Sequence, residues 1–382
     1  MGKRFFLFIT TISTLLFSCS TPTKNPDLLK MALSSNNSKI RNVMDSLGQY
    51  ELQIRYTQIE RVRDSIIFRD HNFQVNDSNY FYPASTVKIL TAILALEKLN
   101  EMDSLDLYTQ FYVEGDSLET TFANEISKIF AISDNEANNR LFEFLGQDRI
   151  NNSLKDKGIA PVRISHRLST DNAFEVTTKP LIVYLNDTTT SWLPPSVNKP
   201  PAALALNKVK KGRAYYEENI PINEPFDFGL KNYFPISSQN EVLKRIIFPE
   251  QFPKNEQFNL SADQRDFLLK AMSDLPKNIG YDEMDYYDGY CKFFMFGDTR
   301  DTIPEYLKIY NKVGNAYGTI TDCAYVTDSK NNVEFMLTAT LMANKNGIFN
   351  DNTYEYETIG LPFLAQLGRE IHNLEIAQKQ QK

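Results

Sequence analysis

Histidine and cysteine are scarce in this sequence, three of each among 382 residues. His71, His166 and His372 stand apart from one another, and none lies beside other donors at a metal-ligand spacing, so neither a metal site nor a cofactor is expected. Positive charge is also outweighed: 41 lysines and arginines face 48 aspartates and glutamates, a net charge of -7. That balance argues against a nucleic-acid partner. The basic run Lys208-Val209-Lys210-Lys211 is followed by Glu217-Glu218 and reads as a solvated face. Internal repeats and low-complexity runs are absent, and with 42% hydrophobic residues the chain can bury one large core or two modest ones.

The first residues, "MGKRFFLFITTISTLLFSCS", combine a basic start at Lys3 and Arg4 with an apolar stretch, Phe5 to Phe17, too short for a stable bilayer anchor. This is an export signal. Leu16-Phe17-Ser18-Cys19 resembles a bacterial lipobox, in which the cysteine is acylated and becomes the mature N-terminus. The expected organisation is a signal peptide at 1–18, a polar tether at 19–26 and a single domain at 27–382, with an insertion at about 190–260. The protein is then extracytoplasmic and held to a bacterial membrane by lipid on Cys19, on the periplasmic side or at the outer membrane, a destination that Ser20 suits. Plain secretion with cleavage near Cys19 is the alternative. Cys291 and Cys323 remain, and an oxidising compartment permits them to pair.

Leu28, Leu29, Met31, Ile40, Val43, Met44 and Leu47 follow the spacing of one helical face over Asp27 to Leu47. Gln49 to Val75 alternates imperfectly as strand, with His71-Asn72 as its turn. A helix opens near Pro83, and its positions 89–96 are apolar enough to demand burial on every side. Phe122 to Leu145 reads as two helices broken at Ser133-Asp134-Asn135, and Gln147 to Lys157 as another. From Asn186 to about Leu260 prolines and aromatics punctuate the text, an elaborated insertion. Ser261 caps a helix to Leu275. Strands at Asn315–Thr327 and Asn332–Met342 join at Ser329-Lys330-Asn331, and a last helix runs from Leu361 to Gln378 with Pro362 in its first turn. The order predicts an α+β fold: an antiparallel sheet built from both chain ends, flanked by terminal helices and packed on an all-helical subdomain.

Three short stretches carry chemistry. In "YPASTVKILTAILALEKLN", Ser85 and Lys88 stand at i and i+3 on one helical face. A serine hydroxyl needs a base to become a nucleophile, and a buried lysine with a lowered pKa is one. The first helical turn also offers free N–H groups to a developing oxyanion. Alone, the tetrapeptide is equally the polar start of a core helix. In "AISDNEANNRLFEFLG", Ser133 and Glu136 read as a capping box. In "NKVGNAYGTITDCAYV", Lys312-Val313-Gly314 opens a strand, and Gly314 clears space for a close approach.

Together, in this order, S-x-x-K, S-D-N and K-x-G resemble the signature set of class A β-lactamases and penicillin-binding proteins. Tyr317-Gly318-Thr319 extends the likeness, which covers about Leu47 to Arg369 less the insertion. It implies the β-lactamase/transpeptidase-like fold and a serine hydrolase working through an acyl-serine intermediate. It implies roles too. Ser85 would attack the carbonyl carbon and Lys88 take its proton; Ser133 would relay a proton to the leaving nitrogen. Asn135 would hold Lys88 and a substrate amide, Lys312 would favour a substrate carboxylate, and the N–H groups of Ser85 and Asn315 would form the oxyanion hole beside Gly314.

Two departures bear on activity. The third motif carries Val313 where the family usually has a hydroxyl that meets the substrate carboxylate. The family's E-x-x-L-N loop, whose glutamate activates the deacylating water, has no counterpart in "RISHRLSTDNAFEVTTKPL". Glu175 is the nearest acid of that kind, with His166 as an alternative. The expected activity is hydrolysis of β-lactam amides. The alternatives are a D-Ala peptidase or esterase, a penicillin-binding protein with slow deacylation, and a lipoprotein that captures β-lactam or muropeptide without turnover. The partners are a small β-lactam or cell-wall peptide and, through Cys19, a membrane; a monomer is expected.

Overall fold

The computed structural model describes residues 26–381. The expected signal peptide, Cys19 and the expected tether up to residue 25 lie outside them.

The fold is built on a five-stranded sheet that joins strands from the two ends of the chain side by side. Two short helices, α1 (Leu28–Leu33) and α2 (Ser38–Met44), precede a hairpin of β1 (Leu52–Val62) and β2 (Ser65–Phe73). The turn falls at Arg63-Asp64, with Arg63 at φ 55°; His71 and Asn72, read as the turn from sequence, pair with Tyr56 and Arg55 inside the ladder. Far along the chain, β11 (Leu307–Ala316), β12 (Thr319–Asp328) and β13 (Val333–Met342) complete the sheet. β13 lies antiparallel beside β1, so every pairing in this sheet is antiparallel.

Alternation along these strands sends side chains into two cores. On β12, Ala324 and Val326 face the core under α1, α2 and the terminal helix α10 (Leu361–Gln380). Cys323 and Tyr325 face the opposite core, with α3 (Lys88–Leu99), α4 (Phe122–Ala131), α5 (Asn135–Leu145), α6 (Gln147–Asp156), α7 (Ile236–Ile247) and α8 (Ala262–Ser273). Cys291, just before the distorted turn α9 (Phe293–Phe296), belongs to the first core. The two cysteines therefore sit on opposite faces of one sheet, and both are free, so the pairing that the sequence left open is not made.

The helical half is not all helix. It carries a four-stranded sheet of β3 (Gln110–Val113), β4 (Thr120–Thr121), β5 (Leu181–Asn186) and β6 (Thr189–Leu193). Between residues 190 and 260 the short strands β7 (Lys210–Lys211), β8 (Ala214–Glu217), β9 (Ile220–Ile222) and β10 (Phe226–Asp227) form small ribbons, one joined by β14 (Ile348–Phe349). Phe226 and Phe228 from this segment cluster with Tyr80, Tyr82 and Tyr317. The ribbons of this segment thus rest on the approach to Ser85 and on the turn after Asn315, whereas α7, later in the segment, packs into the main core.

Candidate active site

Ser85 lies in a 3₁₀ turn, Ala84–Val87, that runs directly into α3. Ala84 is held at φ 48°, a left-handed conformation that a residue with a Cβ adopts at a cost. Burial of Tyr80, Tyr82 and Ala84 over-determines that backbone and sets Ser85 at the mouth of the helix, half-buried. Residues 89–97 of α3 are buried on every side, as the apolar run requires, and Lys88 is 0% exposed.

The break between α4 and α5 supplies the second group. Asp134, not Ser133, caps α5: its carboxylate accepts from Ala137 N at 3.0 Å. The capping box read from the sequence is therefore not formed, the cap falls one residue later, and Ser133, at φ 59°, is released from helix capping. Its hydroxyl receives two ammonium groups. Lys312 Nζ donates to Ser133 Oγ at 2.8 Å and Lys88 Nζ at 3.3 Å, and Lys88 also donates to the Ser133 carbonyl.

The third motif ends a strand rather than opening one. β11 finishes at Ala316, and the chain turns at Tyr317-Gly318, both at positive φ, before β12. Gly314 faces the 3₁₀ turn of Ser85 so closely that a Cβ there would stand 2.6 Å from Ser85 N and 3.0 Å from Thr86 N. Glycine is required at this contact. The side chain of Val313 is buried and Asn315 is exposed.

The electrostatics suit a base. Burial, then the charge of Lys312, pulls Lys88 well below its ordinary value. Burial also brings Lys312 down to about 8. Two like charges buried beside one hydroxyl favour the loss of a proton from one of them, which makes a neutral amine available.

Ser85, Ser133, Asn135, Val313 and Asn315 line one cavity of about 350 Å³, together with Ile132, Tyr287, Tyr290, Cys291, Phe293, Glu357 and Leu361. Four of the nine residues singled out from sequence thus reach it directly: Ser85, Ser133, Asn135 and Asn315. Lys88, Lys312 and Gly314 support it from behind. No hydrogen bond joins Asn135 to Lys88, or Lys88 to Ser85 Oγ, among the described residues; the lysine is turned to Ser133. Glu175 is exposed and does not line the cavity. Cys19 lies outside the described residues. Tyr287, Tyr290 and Glu357 escaped the sequence reading, because nothing local ties "YDEMDYYDGYCKFF" or the stretch before α10 to the serine motifs.

The loop carrying Glu175 is pinned from beneath. Arg167, 1% exposed, reaches the Glu143 carboxylate with Nε at 2.6 Å and Nη2 at 2.8 Å, and donates to the carbonyls of Glu175 and Thr177. His166 is buried, its Nδ1 directed at the Arg167 carbonyl, and burial lowers its pKa to about 4. Among the described residues, no group of three or more His, Cys, Asp or Glu is arranged to hold a metal ion.

The family model described as "Beta-lactamase enzyme family" matches residues 37–191, the part that contains Ser85, Lys88 and Ser133. Over that segment the chain is similar to this family. Solved β-lactamases share the fold over nearly the whole chain. One is a class A β-lactamase from Bacteroides cellulosilyticus, 13% identical, covering 89% of this chain and 98% of that one with a TM-score of 0.52. A β-lactamase from Sphaerobacter thermophilus, 13% identical, covers 90% and 94% with a TM-score of 0.50. Another, from Xanthomonas campestris, is 14% identical and covers 91% and 97% with a TM-score of 0.50. No curated protein matches the chain. In this β-lactamase-like fold the three motifs meet where the main sheet borders the helical half.

Proposed function

We propose that this protein is an extracytoplasmic serine hydrolase that opens β-lactam amides through an acyl-serine intermediate. The observation that carries the reading is the convergence of Ser85, Lys88, Ser133 and Lys312 from three separate elements onto one cavity edge. Ser85 Oγ attacks the carbonyl carbon. Lys88, kept neutral by burial and by Lys312, accepts the proton, and Ser133 passes it to the leaving nitrogen. Asn135 holds the substrate amide at the cavity wall. The N–H groups of Ser85 and Asn315 face the carbonyl oxygen, brought together by the close approach at Gly314.

A second reading, slow deacylation as in a penicillin-binding protein, draws on the exposure of Glu175 and on the cavity lining, in which Glu357 is the only carboxylate. Treating the purified protein with a chromogenic β-lactam and weighing it intact separates the two. Fast colour release without an adduct indicates turnover, and a persistent adduct on Ser85 indicates capture. An unchanged outcome for Ser85→Ala would sink both. The lipid anchor on Cys19 belongs to the same proposal: Cys19→Ala should move the protein from the membrane fraction to the soluble one.

A further inference from the structure

We propose that the cavity beside Ser85 selects acyl donors whose leaving group ends in a cation, in place of the carboxylate that the motif set implies. The inference rests on the acyl-serine reading for its chemistry and on the far wall of the cavity for its specificity.

Among the residues lining the cavity, Glu357 carries the only formal charge. It stands on the π-helical turn Tyr356–Gly360 that leads into α10, exposed, and makes no hydrogen bond or ion pair among the described residues. Its carboxylate is close enough to raise the phenol pKa of Tyr287, second only to burial. Tyr287 and Tyr290 complete this wall, their rings set edge to face at 6.1 Å. A free carboxylate beside two tyrosine rings is a surface for an ammonium group, attracted by the charge and by the ring faces.

None of the other lining residues carries a positive charge. Val313 has no donor in the position where the family places a hydroxyl. Lys312 is 1% exposed, and its ammonium is engaged by Ser133 Oγ and the Val313 carbonyl. Arg300 lies over Tyr287 at 4.9 Å and, with Lys39, shares a neighbouring cavity with Tyr287 and Glu357, but it donates to the Met284 carbonyl and forms no ion pair with Glu357. A carboxylate entering here meets the like charge of Glu357. Ser133, the group that hands a proton to the leaving atom, lines the same cavity as Glu357, which puts the cation on the leaving-group side.

The test uses three thioesters of one N-acetylalanyl group, with thiocholine, its uncharged isostere neohexanethiol, or mercaptopropionate as the leaving thiol. In each, the Ser85 Oγ–carbon bond forms as the carbon–sulfur bond breaks, and the serine proton ends on the departing thiol. Water then frees the acid. The thiocholine ester should exceed the neohexyl ester in kcat/KM by about tenfold, and the mercaptopropionyl ester should be the poorest. Glu357→Gln should lower the first ratio to the value seen in uncatalysed hydrolysis, which the more acidic thiocholine thiol already favours. A ratio in the parent no larger than the uncatalysed one, or one that Glu357→Gln leaves unchanged, overturns the proposal.

A binding arm separates this from failure of the chemistry. In Ser85→Ala, calorimetry compares inert N-acetylalanyl amides of trimethylammonioethylamine and of neohexylamine. Tighter binding of the cation, lost in Ser85→Ala/Glu357→Gln, upholds the specificity even if no thioester acylates Ser85; equal binding overturns it even if they all do.

Discussion

Lys312 Nζ donates to Ser133 Oγ across 2.8 Å, joining the end of β11 to the turn between α4 and α5. The two residues are 179 positions apart in the chain. Their contact, with Lys88 on the other side of the same hydroxyl, makes Ser133 the junction between two buried ammonium groups and the cavity. A hydroxyl there has no role in capping, which Asp134 performs.

Ser133→Ala removes the atom that both lysines address and the proposed path for the proton to the leaving group. Acylation of Ser85 should slow by roughly 10²- to 10⁴-fold, the range for loss of general acid–base help. Stopped-flow with a chromogenic β-lactam, checked by intact mass, measures it. A rate within a few-fold of the parent would remove Ser133 from the proton path.

Gly314→Ala forces a Cβ to within 2.6 Å of Ser85 N unless β11 or the 3₁₀ turn moves. Backbone on both sides makes relief expensive. Overpacking of this kind should cost about 1–3 kcal/mol, seen as a lower urea midpoint, and acylation should fall with it. Unaltered stability and activity would mean that the strand and turn are free to part.

Stability should rise with pH through the alkaline range. Burial brings Lys312 and Lys292 from 10.5 down to about 8 in the folded protein. Between those values the unfolded chain binds more protons than the folded one, so deprotonation favours folding; below about 8 both states hold these two protons and their share of the slope vanishes. Lys312→Met should flatten this limb by one proton's share. Urea unfolding from about pH 7 to about pH 10 reads the slope, and an identical slope in the variant would contradict the assignment.

Arg167→Met leaves the Glu143 carboxylate, 7% exposed as a residue, without its cation. Breaking a buried pair from one side should cost about 3–5 kcal/mol. The carbonyls of Glu175 and Thr177 lose their donor too, so hydrogen exchange should quicken across residues 168–178. If exchange there holds while stability falls, the pair braces the core alone.

Much of the architecture was legible because periodicity is a local property. Apolar spacing marked α10 and the fully buried α3, and Ser261 was visible as the cap of α8, where it forms a capping box with Gln264. Local chemistry also misled. Ser133 and Glu136 have the spacing of a capping box, but Asp134 in the adjacent position accepts the bond, because Ser133 occupies a left-handed conformation. His71-Asn72 has turn composition yet lies in the β1–β2 ladder, where cross-strand pairing overrides it.

By itself the sequence determined the order of the motifs, the burial of Lys88 and the assembly of an antiparallel sheet from both chain ends. Each follows from residue type and from spacing over a few positions. Only the tertiary structure decided that Glu357 and two tyrosines wall the cavity, that Glu175 stays outside it, and that the sheet separates Cys291 from Cys323. These depend on which distant segments pack together, and burying apolar faces against one another selects that arrangement only when the whole chain is folded.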